Sequence, residues 1–326
     1  MENKIAFVVP TKDREKDLRL MLSSLVCQTR IPDQIIVVDG SDPDIKFVTN
    51  EFNELPIDYV REFPPSLSKQ RNTGIEKLHS DITLAGYLDD DIVLEPDAVE
   101  NMLAFWDEAG TDYGGAAFCI TNASSPSGTR IKQLFCLDSP ERGKVLPSGW
   151  VSQLFCSESH ESNKVLPSGW VSVSGNSNQI IDVDWLCGGV TVWRREVVDN
   201  YPYDEWFQGT GFMEDVDFSF NVRKKYKLTL VTNAKVADYP HPILPEKYIL
   251  LGKWQIVNRL YFVRKYSDRG LSITKAWLSS FSVILLNLTL GLIRTDSNRF
   301  RCALGNILGI GIALIDKDRG IGGHLK

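Results

Sequence analysis

Nothing in the first 240 residues forms a basic stripe, and the whole chain carries a formal net charge of -6. A protein that neutralises nucleic-acid phosphates needs clustered Lys and Arg, so no nucleic-acid partner is expected. Cysteine is sparse as well. The six residues Cys27, Cys119, Cys136, Cys156, Cys187 and Cys302 lie too far apart in sequence to pair as zinc ligands, and a chain of this length needs no disulfide staples. A reducing compartment is therefore expected. The N-terminus also lacks the pattern of a signal peptide: Met1 to Lys4 lead into Ile5-Ala6-Phe7-Val8-Val9, too short for a leader core and followed at once by Pro10 and charges.

The 326 residues, 43% hydrophobic and 24% charged, can bury one sizeable core or two smaller ones. The first third alternates short β-branched runs with helical patterns, which points to βαβ units, an α/β class and a mainly parallel sheet flanked by helices. Ile5 to Val9, Ile35 to Val38, Ile57 to Val60 and Ile82 to Leu88 read as strands. Leu18, Met21, Leu22, Leu25 and Val26 recur at helical spacing, and Lys69 to Leu78 reads as a second helix.

From about 122 to 180 the chain turns rich in Ser, Gly, Pro and Asn, and residues 133–152 are repeated in tandem by 153–172. Two copies cannot make a solenoid, so the repeat reads as a duplicated strand-turn-strand piece with Pro-Ser-Gly as the turn. Trp150 and Trp170 occupy equivalent points of the two copies, as core residues or as faces for an acceptor sugar. Three regions follow: 1–121 as a ligand-binding half, 122–245 as a second half with the long insertion, and 246–326 as a helical extension.

The chemistry concentrates in short polar segments at strand ends. Asp89, Asp90 and Asp91 close a buried strand, at the edge where open α/β sheets bind ligands. Neighbouring carboxylates repel by roughly 4 kcal/mol per pair at 4 Å and an effective dielectric near 20. A hard cation, Mg²⁺ or Mn²⁺, is the natural relief, although a lone run of this kind also reads as a solvated acidic turn. Pro10, Thr11 and Arg14 leave the first strand and Asp39-Gly40-Ser41 the second. Arg71 and Asn72 sit in Gln70-Arg71-Asn72-Thr73-Gly74, and a guanidinium fork suits a diphosphate. A glycine-rich loop from Gly209 runs into Glu214-Asp215 at a helix start, where carboxylates also favour the helix dipole.

In this order VVPTKDR, VVDGSD, RNTG, LDDD, GGV and MEDVDFSFNVR resemble the family 2 glycosyltransferases of the GT-A fold over residues 5 to about 245. The resemblance implies an inverting transfer of a sugar from a nucleotide-diphosphate donor, UDP type favoured, to a saccharide or lipid-linked acceptor, in cell-surface polysaccharide or glycan synthesis. It implies that Pro10, Thr11, Arg14 and Asp39 line the nucleotide pocket with Arg71 and Asn72 nearby. Asp89 and Asp90 would face ribose and donor sugar, and Asp91, with His241, would hold the metal. Glu214-Asp215 would be the catalytic pair with Asp215 as general base and Asp217 its near competitor. Two features depart from the family pattern: the tandem repeat lengthens the middle of the chain, and Pro240 and Pro242 flank His241 and constrain its backbone.

The extension is basic and apolar together, with Lys247, Lys253, Arg259, Arg264, Lys265, Arg269 and Lys275 preceding an uncharged run from Ala276 to Ile293. Those residues span roughly 27 Å as a helix, just short of a bilayer core. A single span would export Arg299, Arg301, Lys317 and Arg319, against the positive-inside tendency. The expectation is helices lying in the cytoplasmic membrane interface through 270–326, with a buried core pair or a dimer interface as the other reading. Two further functions compete. A sugar nucleotidyltransferase should carry a glycine-rich basic loop where this chain has Pro10-Thr11-Lys12-Asp13. A membrane-associated scaffold without activity would not need Asp91, Asp215 and His241.

Overall fold

The computed structural model describes residues 2–122, 163–171, 181–209 and 211–315. The chain divides into two compact units, one built from 1–124, 176–205 and 209–240, the other from 125–175, 206–208 and 241–326.

The first unit is a nine-stranded mixed sheet with helices on both faces. Its strands are β1 (Ile5–Thr11), β2 (Gln34–Asp39), β3 (Ile57–Arg61), β4 (Leu84–Leu88), β5 (Ile92–Leu94), β6 (Tyr113–Ile120), β7 (Ile181–Val183), β8 (Val190–Arg194) and β9 (Lys227–Asp238). The order is β3-β2-β1-β4-β8-β6-β9-β5, with β7 also paired to β9. The half β3-β2-β1-β4 is parallel, as βαβ alternation requires. From β4 onward β8 enters antiparallel, β6 runs against β8, β9 lies parallel to β6, and β5 and β7 run antiparallel to β9. The sheet is thus parallel where the residues alternate with helices and mixed beyond.

Side chains along β1 show how both faces are filled. Ile5, Phe7 and Val9 join one core with Leu18, Met21, Leu22 and Leu25 of helix Glu15–Val26 and with Met102 and Trp106 of helix Ala98–Glu108. Ala6 and Val8 join the opposite core with Trp193, Phe218 and Val222. The two-residue period of a strand sends alternate side chains to opposite faces, so an unbroken apolar run is what a doubly covered strand needs.

Because β1, β2 and β4 are parallel, Thr11, Asp39 and Leu88 all end at one sheet edge. Asp39 is fully buried there, and its carboxylate accepts hydrogen bonds from the Ser41 and Ile45 amides, at 2.7 and 2.9 Å, and from the Tyr59 hydroxyl. It ties the 40–45 loop to the end of β2.

In the second unit helices Lys247–Lys265, Ile273–Arg294 and Ser297–Ile315 pack together. The first and third touch backbone to backbone: a Cβ on Gly252 would lie 2.2 Å from the Cys302 carbonyl oxygen, and one on Gly305 2.1 Å from that of Ile249. Glycine is required there by space, not by turn geometry. Asn306 donates to the Gly252 carbonyl and to Gln255 across the contact.

The second repeat copy forms the expected turn: Gly169 has φ +81 and the Leu166 amide donates to the Trp170 carbonyl at 2.7 Å. Trp170 is buried, with the Arg259 guanidinium 4.2 Å from its ring, so it serves as core here. Arg259, one of the cations that make the extension basic, is fully buried and donates to the Gln255, Ser168 and Ala276 carbonyls and to the Ser279 and Ser280 hydroxyls. The first copy with Trp150, and Lys317 and Arg319, lie outside the described residues.

Burial alone would push the Asp39 carboxyl up, but its hydrogen bonds from Ser41, Tyr59 and Ile45 outweigh that and hold it below the usual carboxylate value. A lowered folded value contributes stability that is present above the unfolded value of about 4 and is lost as pH falls through the folded one. Asp39→Asn is therefore expected to cost about 2 kcal/mol at pH 7. In urea unfolding followed across pH, the gap between wild type and variant should close on the acid side of about pH 4.

Candidate active site

The residues that leave β1 and β4 converge on two arginine-centred clusters, and Asp39 at the end of β2 belongs to neither. In the first, Arg14 Nη1 contacts Asp90 Oδ1 at 2.7 Å and Asp91 Oδ2 at 3.0 Å, while the Thr11 hydroxyl donates to Asp90 Oδ2 at 2.8 Å. Both aspartates are buried. Burial, aided by the charge of Asp91, pushes Asp90 up to about 7 against the pull of Arg14. The Arg14 side chain keeps 32% of its surface exposed, so it has donors left for a ligand. Pro10 is buried in β1 beside Val38, and Gln70 Nε2 bridges the Thr11 and Val38 carbonyls.

In the second cluster Arg71, on helix Leu67–Ile75, is enclosed. Its Nη1 donates to Glu214 Oε1 at 2.9 Å and its Nη2 to Asp89 Oδ1 at 3.2 Å. Asn72 donates to the Tyr203 carbonyl and accepts from the Tyr203 amide, at 2.9 Å each, and so pins the 203–205 segment.

Helix Glu214–Val222 starts at the Glu-Asp pair, after a loop whose Gly209, Gly211 and Met213 all have positive φ, at 69, 75 and 75°. Gly211 is needed twice, for its φ and because a Cβ would lie 2.7 Å from Glu214 Cδ. Asp215 Oδ2 accepts from the Gly188 amide at 3.2 Å and Oδ1 from the Val216 amide at 2.8 Å. Burial raises both carboxyls. Glu214 is raised further by Asp215, and Arg71 opposes the shift in both. Asp217, the competitor to Asp215, is also buried on the first turn of this helix.

One participant was not singled out in the sequence. Asp238 ends β9 opposite Ile92, and the next amide, Tyr239, donates to the Asp91 carbonyl at 3.0 Å. Its Oδ1 is buried without a hydrogen-bond partner among the described residues. Burial, with the like charges of Asp91 and Asp89, pushes it up to about 8. Its position three residues before His241 was the available signal. Gly188-Gly189, the glycines of the GGV motif, lie where the chain enters β8, and Gly189 accepts from the Asp89 amide at 2.9 Å. His241 belongs to the second unit.

A divalent cation fits this donor set. Asp91 and Asp238 supply hard oxygen donors, the buried Oδ1 of Asp238 lacks a proton donor, and the charges beside it disfavour ionisation without a cation. Among the described residues no three His, Cys, Asp or Glu side chains are gathered tightly enough to hold an ion alone. The remaining ligands would therefore come from a bound phosphate, as is usual for Mg²⁺.

Comparison with known proteins bears on the fold and on the sequence signature of the first unit. Residues 6–144 match glycosyl transferase family 2. An uncharacterized glycosyltransferase of Haemophilus influenzae is 38% identical over 99 residues, 29% of this chain and 36% of that protein. Glycosyltransferase GlyA of Streptococcus pneumoniae is 32% identical over 105 residues, 31% of this chain and 15% of its own length. The chain thus spans about a third or less of the curated relatives it matches. Among solved structures, the mannosyltransferase PcManGT of Pyrobaculum calidifontis, in complex with GDP-Man and Mn²⁺, superposes with a TM-score of 0.54 at 11% identity, covering 98% of this chain and 89% of that one. GalNAc-T7 with UDP, GalNAc and Mn²⁺ gives 0.53 at 14% identity, covering 83% and 52%. Residues 6–144 thus carry the sequence signature of glycosyl transferase family 2, and the mixed sheet with its flanking helices is the GT-A fold of these glycosyltransferases.

Proposed function

We propose that the protein is an inverting glycosyltransferase that moves a sugar from a nucleotide-diphosphate donor, UDP type favoured, to a hydroxyl of a saccharide or lipid-linked acceptor in cell-surface polysaccharide or glycan synthesis. The observation that carries this reading is the buried Glu214-Asp215 pair facing the strand-end aspartates through Arg71. Residues 1–121 form the donor half and 122–245 the acceptor half. Residues 246–326 attach the enzyme to the membrane.

Asp215 acts as the general base. Its carboxyl is fixed by the Gly188 and Val216 amides and is raised above the usual carboxylate value by burial, which favours its taking the acceptor hydroxyl proton as that oxygen attacks the anomeric carbon. No second carboxylate is assigned as a nucleophile, so the sugar transfers once and its configuration inverts. Asp89 and Asp90 orient ribose and donor sugar, with Thr11 and Arg14 holding Asp90 in place. Asp39 shapes the nucleotide side by fixing the 40–45 loop, Pro10 supports it from β1, and Asn72 fixes the 203–205 segment. Asp91 and Asp238 would hold Mg²⁺ or Mn²⁺, which when bound neutralises charge on the departing diphosphate. Arg14, half-exposed beside Asp91, reaches the same phosphates.

The helical extension supplies the membrane contact. Ile273–Arg294 is, among the described residues, the one helix long and apolar enough to cross a bilayer, and only a third of its apolar window is buried. Leu278, Phe281, Leu285, Leu288 and Leu292 form an exposed stripe on it, and Leu304, Ile307, Leu308, Leu314 and Ile315 are exposed on Ser297–Ile315. Arg294 and Arg301 lie between the two apolar faces in sequence, where anionic headgroups of the cytoplasmic leaflet can meet them.

Calorimetry with UDP, GDP and other nucleotide diphosphates should show one base bound in the presence of Mn²⁺ and lost in Asp91→Ala. No binding to folded wild type would sink the proposal. Asp215→Asn is expected to lower turnover by about 10² to 10⁴-fold while leaving nucleotide affinity within a few-fold. Steady-state rates beside binding constants check this, and an Asp215→Asn enzyme of near-normal rate would move the role to Asp217. For the membrane, the full chain should float with phosphatidylcholine vesicles containing phosphatidylserine and fail to do so as Leu285→Glu/Leu292→Glu. Equal flotation of the variant would remove this surface from the account.

A further inference from the structure

The family resemblance places Arg71 near the nucleotide, where a guanidinium would meet the donor diphosphate. A phosphate ligand has to present donors to the pocket, and Arg71 presents almost none. Its side chain is 1% exposed. One terminal nitrogen is on Glu214 and the other on Asp89. The rings of Tyr203 and Tyr87 lie 5.0 and 5.8 Å from its Cζ. The backbone of Gly188 closes the remaining side: a Cβ there would lie 2.8 Å from Nη1, 3.0 Å from Nη2 and 3.0 Å from Asp215 Cβ. Gly189 is equally tight, its Cβ position being 2.0 Å from Asp89 Oδ2. This close approach explains a Gly-Gly pair that the chemistry of transfer does not otherwise use. Arg14, in contrast, keeps a third of its surface open beside Asp90 and Asp91.

We propose that Arg71 is a positioning residue, a buried strut that joins the Glu214-Asp215 helix start to Asp89 at the end of β4 and leaves the diphosphate to Arg14. The proposal rests on the assignment of Asp215 as base. Glu214 and Asp215 are adjacent buried carboxyls and cannot both ionise without a cation within reach. By pairing with Glu214, Arg71 takes up that charge. Asp215, held by the Gly188 amide, is then the carboxylate left to accept a proton. The groups that face Asp215 are Arg71 from helix Leu67–Ile75, Asp89 after β4, Cys187 before the Gly-Gly pair, Tyr203, and Glu214 on its own helix. Arg71 is the one cation among them. Removing it should therefore make Asp215 harder to ionise, whereas removing a phosphate ligand should weaken donor binding.

The test uses the full chain as wild type, Arg71→Gln, Arg71→Lys and Arg14→Gln. UDP and GDP affinities are measured with Mn²⁺ by calorimetry, and nucleotide release from UDP-glucose, UDP-N-acetylglucosamine and GDP-mannose is followed across pH. Arg71→Gln should keep nucleotide affinity within about 3-fold, lose at least about 100-fold in kcat and move the acid limb of the kcat profile to higher pH, with Arg71→Lys restoring part of both. Arg14→Gln should weaken nucleotide binding and leave the acid limb in place. A 10-fold loss of nucleotide affinity in Arg71→Gln with an unmoved acid limb would overturn the proposal.

A second measurement needs no turnover. In the unfolding cycle of Arg71→Gln, Glu214→Gln and the double variant, each single change should raise the unfolding equilibrium constant by about 100-fold, and the double variant should recover most of that loss. Additive losses would overturn the strut whether or not the enzyme turns over. Failure of wild type to bind any nucleotide, with the coupling present, would count against the proposed function alone.

Discussion

Crowded negative charge at one edge of the sheet is the constraint around which the first unit is arranged. Asp89, Asp90 and Asp91 leave β4, Asp238 leaves β9, and Glu214 and Asp215 open a helix beside them. Left to themselves, these carboxyls would protonate or draw in water. Two arginines from different elements divide the load: Arg14, after β1, takes Asp90 and Asp91, and Arg71 takes Asp89 and Glu214. The two differ in access to solvent, and that difference separates a group able to meet a ligand from one that holds the protein's own acids in place. Buried ion pairs add little net stability, because desolvation offsets most of the attraction. Their value here is geometric, since each fixes a carboxylate that would otherwise have several positions.

The same site depends on backbones that approach without side chains between them. Gly188 and Gly189 let the start of β8 lie against Arg71, Asp89 and Asp215, and the Gly188 amide then serves as a donor to the Asp215 carboxylate. Gly252 and Gly305 do for two helices of the second unit what that pair does for the sheet edge. In both places a methyl group would force apart elements whose spacing the rest of the unit relies on. Glycine is costly in flexibility, and in these places close approach compensates.

Charge and burial also explain the two cations of the second unit that behave unlike surface residues. Arg259 spends its donors on two serine hydroxyls and three main-chain carbonyls and lies against the Trp170 ring, which ties the repeat's turn to the helices. Arg299 turns to Asn287. The outward faces of the last two helices are left almost wholly apolar.

Much of the fold was written in local patterns. Unbroken apolar runs at residues 5–9, 35–38 and 84–88 with amphipathic helices between them require a doubly covered parallel sheet, because each run has two faces to bury. The polar residues closing those runs then fall at one edge by topology alone, which is why Thr11, Asp39 and Asp89 to Asp91 could be named as neighbours. The mixed half of the sheet was not readable, since β6, β8 and β9 are brought together by pairings between residues more than 70 positions apart, which no local period encodes. Asp238 escaped notice for the same reason: an aspartate at the end of a strand gains meaning only when that strand is laid against β5. Sequence by itself determined which chemical groups the protein possesses and the edge at which they emerge. Tertiary structure alone decided which arginine is enclosed and which is open, because burial is a property of everything packed around a side chain and not of the residue.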